Sequence, residues 1–231
     1  MKLITSDIEI STKIIEQINK DSLSELGILP LFDVEERGNI KEILKNNSEC
    51  IFLGKSHSIT LPIVKSFKEV YPINPGIIIF DAHPDAEDER DLLTGLINQN
   101  IIKKENILLV GTRSYKKQEL EFLNKNKIKC FSMKEISQEG IHEISESLMS
   151  VAKNFKDLYI SIDIDVLDPA FAPATDFPEP GGLTTRELLF FIHRLKKMHN
   201  LRACDLSEIN PEKDINNITS KVGAKILVEF C

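Results

Sequence analysis

The chain of 231 residues carries 29 basic against 36 acidic side chains, a formal net charge of −7, with 42% apolar and 28% charged residues. That balance belongs to a globular protein; it excludes a disordered tail or a collagen-like repeat and gives no general reason to bind nucleic acid or an anionic membrane. The length leaves room for one generous domain or two small ones, and no shift in composition marks a boundary, so a single domain over 1–231 is expected.

The N-terminus is broken by Asp7 and Glu9 before an apolar signal core can form. The first strand-like run is 50–53, followed by helical periodicity over 58–70 with Ile59, Ile63, Val64 and Phe67 on one face. A second strand is expected at 77–80. The apolar run around it, about five residues, is the longest in the chain and far short of the ~20 that a spanning helix needs. After Asp85 a helix is expected to start at once. Strands at 107–110 and 128–131 follow, then a helix over 141–155 and a strand over 158–164. The stretch 168–182, with four prolines and two glycines, has no period and reads as an ordered functional loop. Thr184 and Glu187 have capping-box spacing at the start of a helix over 184–198; a strand at 201–204 and a helix over 219–230 complete the chain. Alternation of this kind predicts an α/β fold with a mostly parallel sheet and helices on both faces. Cys50, Cys130, Cys204 and Cys231 are scattered with no Cys-x-x-Cys pair, which fits buried thiols and a reducing, cytoplasmic setting.

In parallel α/β sheets ligands bind beyond the carboxyl ends of the strands. Four strand ends here carry ligand-type residues: Gly54-Lys55-Ser56-His57, Asp81-Ala82-His83-Pro84-Asp85, Ser161-Ile162-Asp163-Ile164-Asp165 and Asp205-Leu206-Ser207-Glu208. Residues i and i+2 of an extended chain face the same way, so Asp163 and Asp165 project together, as do Asp81, His83 and Asp85 if that segment stays extended. Converging carboxylates and imidazoles repel one another or are costly to desolvate without a cation. Mixed oxygen and nitrogen donors suit manganese first, then zinc, cobalt or iron, and this many carboxylates suggests two ions. An isolated Asp at a strand end is as often a turn former, and a lone His57 more often a packed histidine; the joint pattern favours metal.

These motifs resemble the ureohydrolases: arginase, agmatinase and formimidoylglutamase. Residues 81–85 look like that family's Asp-Ala-His-x-Asp. Residues 161–169 look like its Ser-x-Asp-x-Asp-x-x-Asp-Pro, continuing through Ala172-Pro173-Ala174-Thr175 and Gly181-Gly182-Leu183-Thr184. Glu208 falls in the family's Glu-x-Asn-Pro segment. The resemblance runs from about residue 51 to the C-terminus. It implies a three-layer αβα, arginase-like fold and two Mn²⁺ ions, other divalent ions being possible. One ion would take His57, Asp81, Asp85 and Asp163, the other Asp81, His83, Asp163 and Asp165. It further implies that metal-activated water cleaves a linear C–N bond of a guanidino or formimino compound, with release of urea from the guanidino kind. Asp85 would orient the nucleophile and relay its proton, and Glu208 would hold the cationic guanidinium. By the same analogy the chain is a homo-oligomer, a trimer or hexamer.

Two departures stand out. The family usually has Gly-Gly-Asp-His where this chain has Gly54-Lys55-Ser56-His57, so a carboxylate that would orient the ligand imidazole is replaced by a hydroxyl. The His-Gly loop that follows Asp-Ala-His-x-Asp in the common enzymes, whose His shuttles protons, is missing; Ala86 to Leu93 takes its place. The acidic run Glu87, Asp88, Glu89 and Asp91 reads as a solvated helix N-terminus rather than as a lure for cations. Gly54-Lys55-Ser56 is no phosphate loop, because position 49 is Glu49 rather than Gly. His193 and His199 read as surface or packing residues. The competing readings are a deacetylase-type metal-dependent amide hydrolase and a non-catalytic metal-binding regulatory relative.

Overall fold

The computed structural model describes residues 2–5, 8–18, 33–36 and 38–230. Among these residues eight strands form one sheet in the order β2-β1-β3-β8-β7-β4-β5-β6, with every pairing between them parallel. They are β1 (Lys2–Thr5), β2 (Asp33–Glu36), β3 (Cys50–Leu53), β4 (Pro75–Phe80), β5 (Ile107–Val110), β6 (Lys129–Phe131), β7 (Asp157–Asp163) and β8 (Leu201–Ser207). The helices are α1 (Ile8–Glu16), α2 (Ile40–Asn46), α3 (Thr60–Val70), α4 (Leu92–Asn98), α5 (Lys117–Asn126), α6 (Met133–Glu139), α7 (Ile141–Ala152), α8 (Thr185–Leu195) and α9 (Ile218–Phe230).

Parallel strands covered on both faces are buried throughout, and β3, β4, β5 and β7 are buried at every position. Alternation along β4 divides the core. Ile78 and Phe80 join one apolar cluster with residues of α1, α6, α7, α8 and α9; Ile77 and Ile79 join a second with residues of α2, α3, α4 and α5. The result is the three-layer αβα architecture expected from the motifs. Each fully buried Ile, Leu or Phe contributes roughly 1.5–3 kcal/mol of apolar transfer.

Several elements differ from the sequence expectation. β8 runs three residues past Cys204, as far as Ser207. Strands β1 and β2 and helices α1, α2, α5 and α6 add to the six strands and five helices read from the sequence. No helix begins directly after Asp85: α4 starts at Leu92, because Asp91 Oδ2 accepts the amides of Glu87 (2.9 Å) and Asp88 (2.7 Å) and folds that segment into a turn. Cys50, Cys130 and Cys204 carry thiols, whereas Cys231 lies outside the described residues. Among the described residues no helix is long and apolar enough to cross a membrane.

Candidate metal centre

The four strands whose ends bear ligand-type residues, β3, β8, β7 and β4, are consecutive neighbours in the sheet. That adjacency gathers distant sequence segments at one carboxyl edge. After β3 the chain turns at Gly54, where a Cβ would lie 2.4 Å from the Ile59 side chain, so any larger residue would have to displace Ile59. Ser56 then caps a short 3₁₀ turn, His57–Ile59, that presents the imidazole inward. Asp81 follows the last residue of β4, and Asp163 closes β7.

His57 Nδ1 lies 3.0 Å from Asp85 Oδ2, 3.2 Å from Asp81 Oδ2 and 3.4 Å from Asp163 Oδ2. His83 Nδ1 lies 2.9 Å from Asp165 Oδ2 and 3.7 Å from Asp81 Oδ1. Two groups able to hold a metal ion result: His57, Asp81 and Asp163, and Asp81, His83 and Asp165, with Asp81 common to both. Asp85 faces the first group through its contact with His57. All six sequence-predicted ligands are therefore brought together. The donor set suits divalent ions, and one atom makes the case: Asp81 Oδ2 is buried, accepts no well-formed hydrogen bond, and meets the His57 ring at 3.2 Å. A buried carboxylate oxygen left in that condition is costly unless a cation takes its lone pair.

Electrostatics point the same way. Burial and then the Asp165 carboxylate push the Asp81 and Asp163 pKa values well above the ordinary range. Burial works against a His57 cation, but the Asp81 and Asp85 carboxylates outweigh it and raise His57 well above its usual value. The hydrogen bond to Asp165 lifts His83 to about 9. Without metal the cluster holds protons where cations would otherwise sit.

An outer layer around His57 escaped the sequence reading. His57 Nε2 is 3.0 Å from Ser161 Oγ, and Ser161 donates to Asp205 Oδ1 at 2.8 Å. Thr60 (2.9 Å) and Tyr159 (2.7 Å) donate to Asp205 Oδ2. Ser161 and Asp205 are register partners on β7 and β8. The Asp205 carboxylate, buried and above its ordinary pKa through that burial, is held by three hydroxyls. A hydroxyl has one proton. With Asp205 ionised, Ser161 gives it that proton and must accept from His57 Nε2–H, so Nδ1 is the nitrogen left for a metal ion, or for a proton shared with the carboxylates when no metal is bound. The orienting carboxylate expected at position 56 is thus supplied from β8 through a serine. The only local signal for it is an Asp three residues before Glu208.

Glu208 adjoins the first group. Its Oε1 accepts the His57 amide at 2.6 Å, the Ser56 side chain also bonds to it, and burial raises its pKa. Asp85 (φ 50°) and Glu208 (φ 64°) both occupy the left-handed region, which non-glycine residues enter at a cost. A cleft of about 390 Å³ opens beside His83 and Asp85, lined by Glu87, Asp91, Lys116 and Phe177 among others. Asp91 reaches it, but Glu89 is exposed and does not line it. His193 bonds through Nε2 to the buried Glu229 (2.7 Å), and the His142 ring packs against Phe190; both lie outside the centre, as packing residues.

A parallel α/β sheet with two acid–imidazole clusters at its carboxyl edge defines a hydrolase of the binuclear metal class. The chain belongs to the arginase family, whose model matches residues 33–231 and so extends upstream of the motifs. It is 32% identical to an arginase of Staphylococcus aureus (strain MRSA252) over 97% of this chain and 82% of that protein. Its fold is similar to the crystal structure of an arginase from Bacillus cereus, with a TM-score of 0.86 at 22% identity over 99% of this chain and 97% of that one. A formimidoylglutamase from Bacillus subtilis gives a TM-score of 0.89 at 21% identity, covering 99% and 84%.

Proposed function

We propose that this chain is a manganese-dependent hydrolase that cleaves a linear C–N bond of a small cationic guanidino or formimino compound, working as a cytoplasmic homo-oligomer. The observation that carries the metal reading is the pair of ligand groups sharing Asp81, whose Oδ2 is buried without a well-formed hydrogen bond. His57, Asp81, Asp85 and Asp163 would hold one ion, and Asp81, His83, Asp163 and Asp165 the other. Such ions lower the pKa of bound water and polarise the bond to be cleaved.

The chain's own residues do the rest. Glu208 is pinned on one side by the His57 amide, and a carboxylate has about four lone-pair sites, so acceptors remain for a planar guanidinium. A carboxylate in that place favours a cation over the neutral amide of a deacetylase substrate. Asp85, beside His57 Nδ1 and on the wall of the cleft, is placed to accept a proton from the nucleophile and pass it to the leaving nitrogen. Among the described residues no histidine loop covers the cleft. Asp91 reaches it, but its Oδ2 is already committed to two amides, so proton transfer rests on Asp85.

The test is urea or formamide release from a panel of guanidino and formimino compounds by the manganese-loaded protein, beside Glu208→Gln. The expected result is turnover of at least one compound by the parent. Glu208→Gln should keep its metal and lose turnover by more than about tenfold, the value of a charge-assisted hydrogen bond. A metal-loaded parent inactive on the whole panel, or an unaltered Glu208→Gln, overturns the reading.

A further inference from the structure

Arg113 follows β5, and neither metal nor substrate accounts for it. Its hydrogen bonds run to backbone carbonyls. Nε donates to Glu179 (3.2 Å) and Pro180 (3.1 Å), and Nη1 to Gly111 and Val166 (3.3 Å each). Nη2 donates to Asp165 (2.8 Å), Leu167 (3.3 Å) and Glu179 (2.5 Å). Six carbonyls from three segments thus converge on one guanidinium. Three of them, from residues 165–167, stand at the end of the 3₁₀ turn Ile164–Val166, where backbone oxygens are left over by the turn itself. Carbonyl dipoles aimed at one point repel one another unless a cation sits among them, and Arg alone offers five donors in a flat fork.

The cage is built around that group. Asp168 Oδ2 accepts the amides of Gly181 (2.7 Å) and Gly182 (3.3 Å), closing the proline-rich loop over the guanidinium. A Cβ on Gly182 would lie 2.6 Å from Arg113 Nη2 and 2.6 Å from the Asp168 amide nitrogen, so only glycine permits the closure. The main chain of Arg113 meanwhile donates to Ala82 O at 2.9 Å. Ala82 in turn donates to Asp165 Oδ1 at 3.1 Å. One residue therefore grips the Asp165 turn by its side chain and the Asp81–His83 segment by its backbone.

We propose that Arg113 is a positioning residue, a resident cation that sets Asp165 and His83 at the spacing the second ion needs, and that the carbonyl cage around it is a guanidinium-binding site in its own right. The first clause rests on the two-ion reading above; the second does not. The experiment has two arms, each on the parent and on Arg113→Ala. In the first, manganese titration is followed by electron paramagnetic resonance, in which a coupled ion pair and a single ion give different spectra. In the second, amide hydrogen exchange at Asp168, Gly181 and Gly182 is measured in the metal-free chain. Arg113→Ala should weaken the second ion by about ten- to a hundredfold, the cost typical of losing an outer partner, and leave the first ion unchanged. The three amides should exchange faster. Guanidinium ion at low millimolar concentration should reverse both effects, and urea, flat but neutral, neither.

Unchanged ion-pair formation in a folded Arg113→Ala, equal weakening of both ions, or no rescue by guanidinium overturns the proposal. A parent that takes up no ion pair defeats the two-ion reading, and the exchange arm still judges the cage. If Arg113→Ala does not fold, Arg113→Lys, a point charge with three donors, replaces it; parent values of ion-pair formation and exchange in that variant overturn the proposal.

Discussion

The two halves of the centre contain the same chemistry and are held in different ways. On the His57 side the imidazole is 6% exposed, and its far nitrogen is fixed by Ser161 and the buried Asp205. On the His83 side the imidazole is 26% exposed and rests directly on Asp165, whose backbone is gripped by Arg113. The first half is set by a hydroxyl relay inside the core, the second by a cation in a loop. A buried imidazole needs its tautomer imposed, because water cannot correct it. A half-exposed one needs its backbone fixed, because the loop that carries its partner would otherwise drift.

That contrast can be broken at its hinge. Asp163→Ala removes a side chain that, on the proposed ligand sets, serves both halves, so both ion affinities should fall by more than the roughly ten- to hundredfold cost of an outer partner, as measured by metal content after dialysis. Retention of one full ion would assign Asp163 to one half only. A step smaller, Asp205→Asn should weaken only the His57 ion, by about ten- to a hundredfold. Metal analysis after dialysis should show the loss at the first ion alone; an undiminished first ion would dissolve the relay.

Proton release sharpens the other half. His83 has a pKa of about 9 without metal, and a ligand imidazole must be neutral, so the second ion should bind more tightly as pH rises, by roughly tenfold per unit up to that value. In the metal-free chain the sign reverses. The His83–Asp165 pair contributes stability that is fully present below the ordinary value of 6.5 and is lost as pH rises through about 9. Melting temperatures with and without manganese across that window should therefore diverge. The smallest effect belongs to Ser56→Ala. Loss of the cap on the His57–Ile59 turn should cost about 1 kcal/mol in thermal unfolding and leave manganese affinity nearly unchanged. A loss of affinity as large as that in Asp205→Asn would return the orienting role to position 56, where the sequence motif led it to be expected.

How much of this was legible in the chain depends on distance. Strands β3 and β4 could be read because a strand buried on both faces is a nearly continuous apolar run, and β7 because Ser161 alone interrupts its apolar residues before the ligands at its exit. Strand β2, Asp-Val-Glu-Glu, has three acids in four residues and carries no such signal; its partner β1 supplies the reason it is a strand. The acidic run after Asp85 resembled a helix start, but Asp91 reaches back to two amides and delays the helix. The Asp205 relay was illegible for a different reason. Thr60, Tyr159, Ser161 and Asp205 come from α3, β7 and β8, and no spacing within any one segment unites them.

Asp85 and Glu208 share a left-handed backbone that glycine or asparagine would adopt more cheaply, by an amount on the order of 1 kcal/mol each. Mutation supplies such replacements continually, and stability alone would welcome them. In a lineage that had abandoned chemistry, these two positions would gain from a drift toward glycine. The side chains found at the equivalents of 85 and 208 in any descendant of this fold therefore record whether its site is still under selection, even where every imidazole has survived.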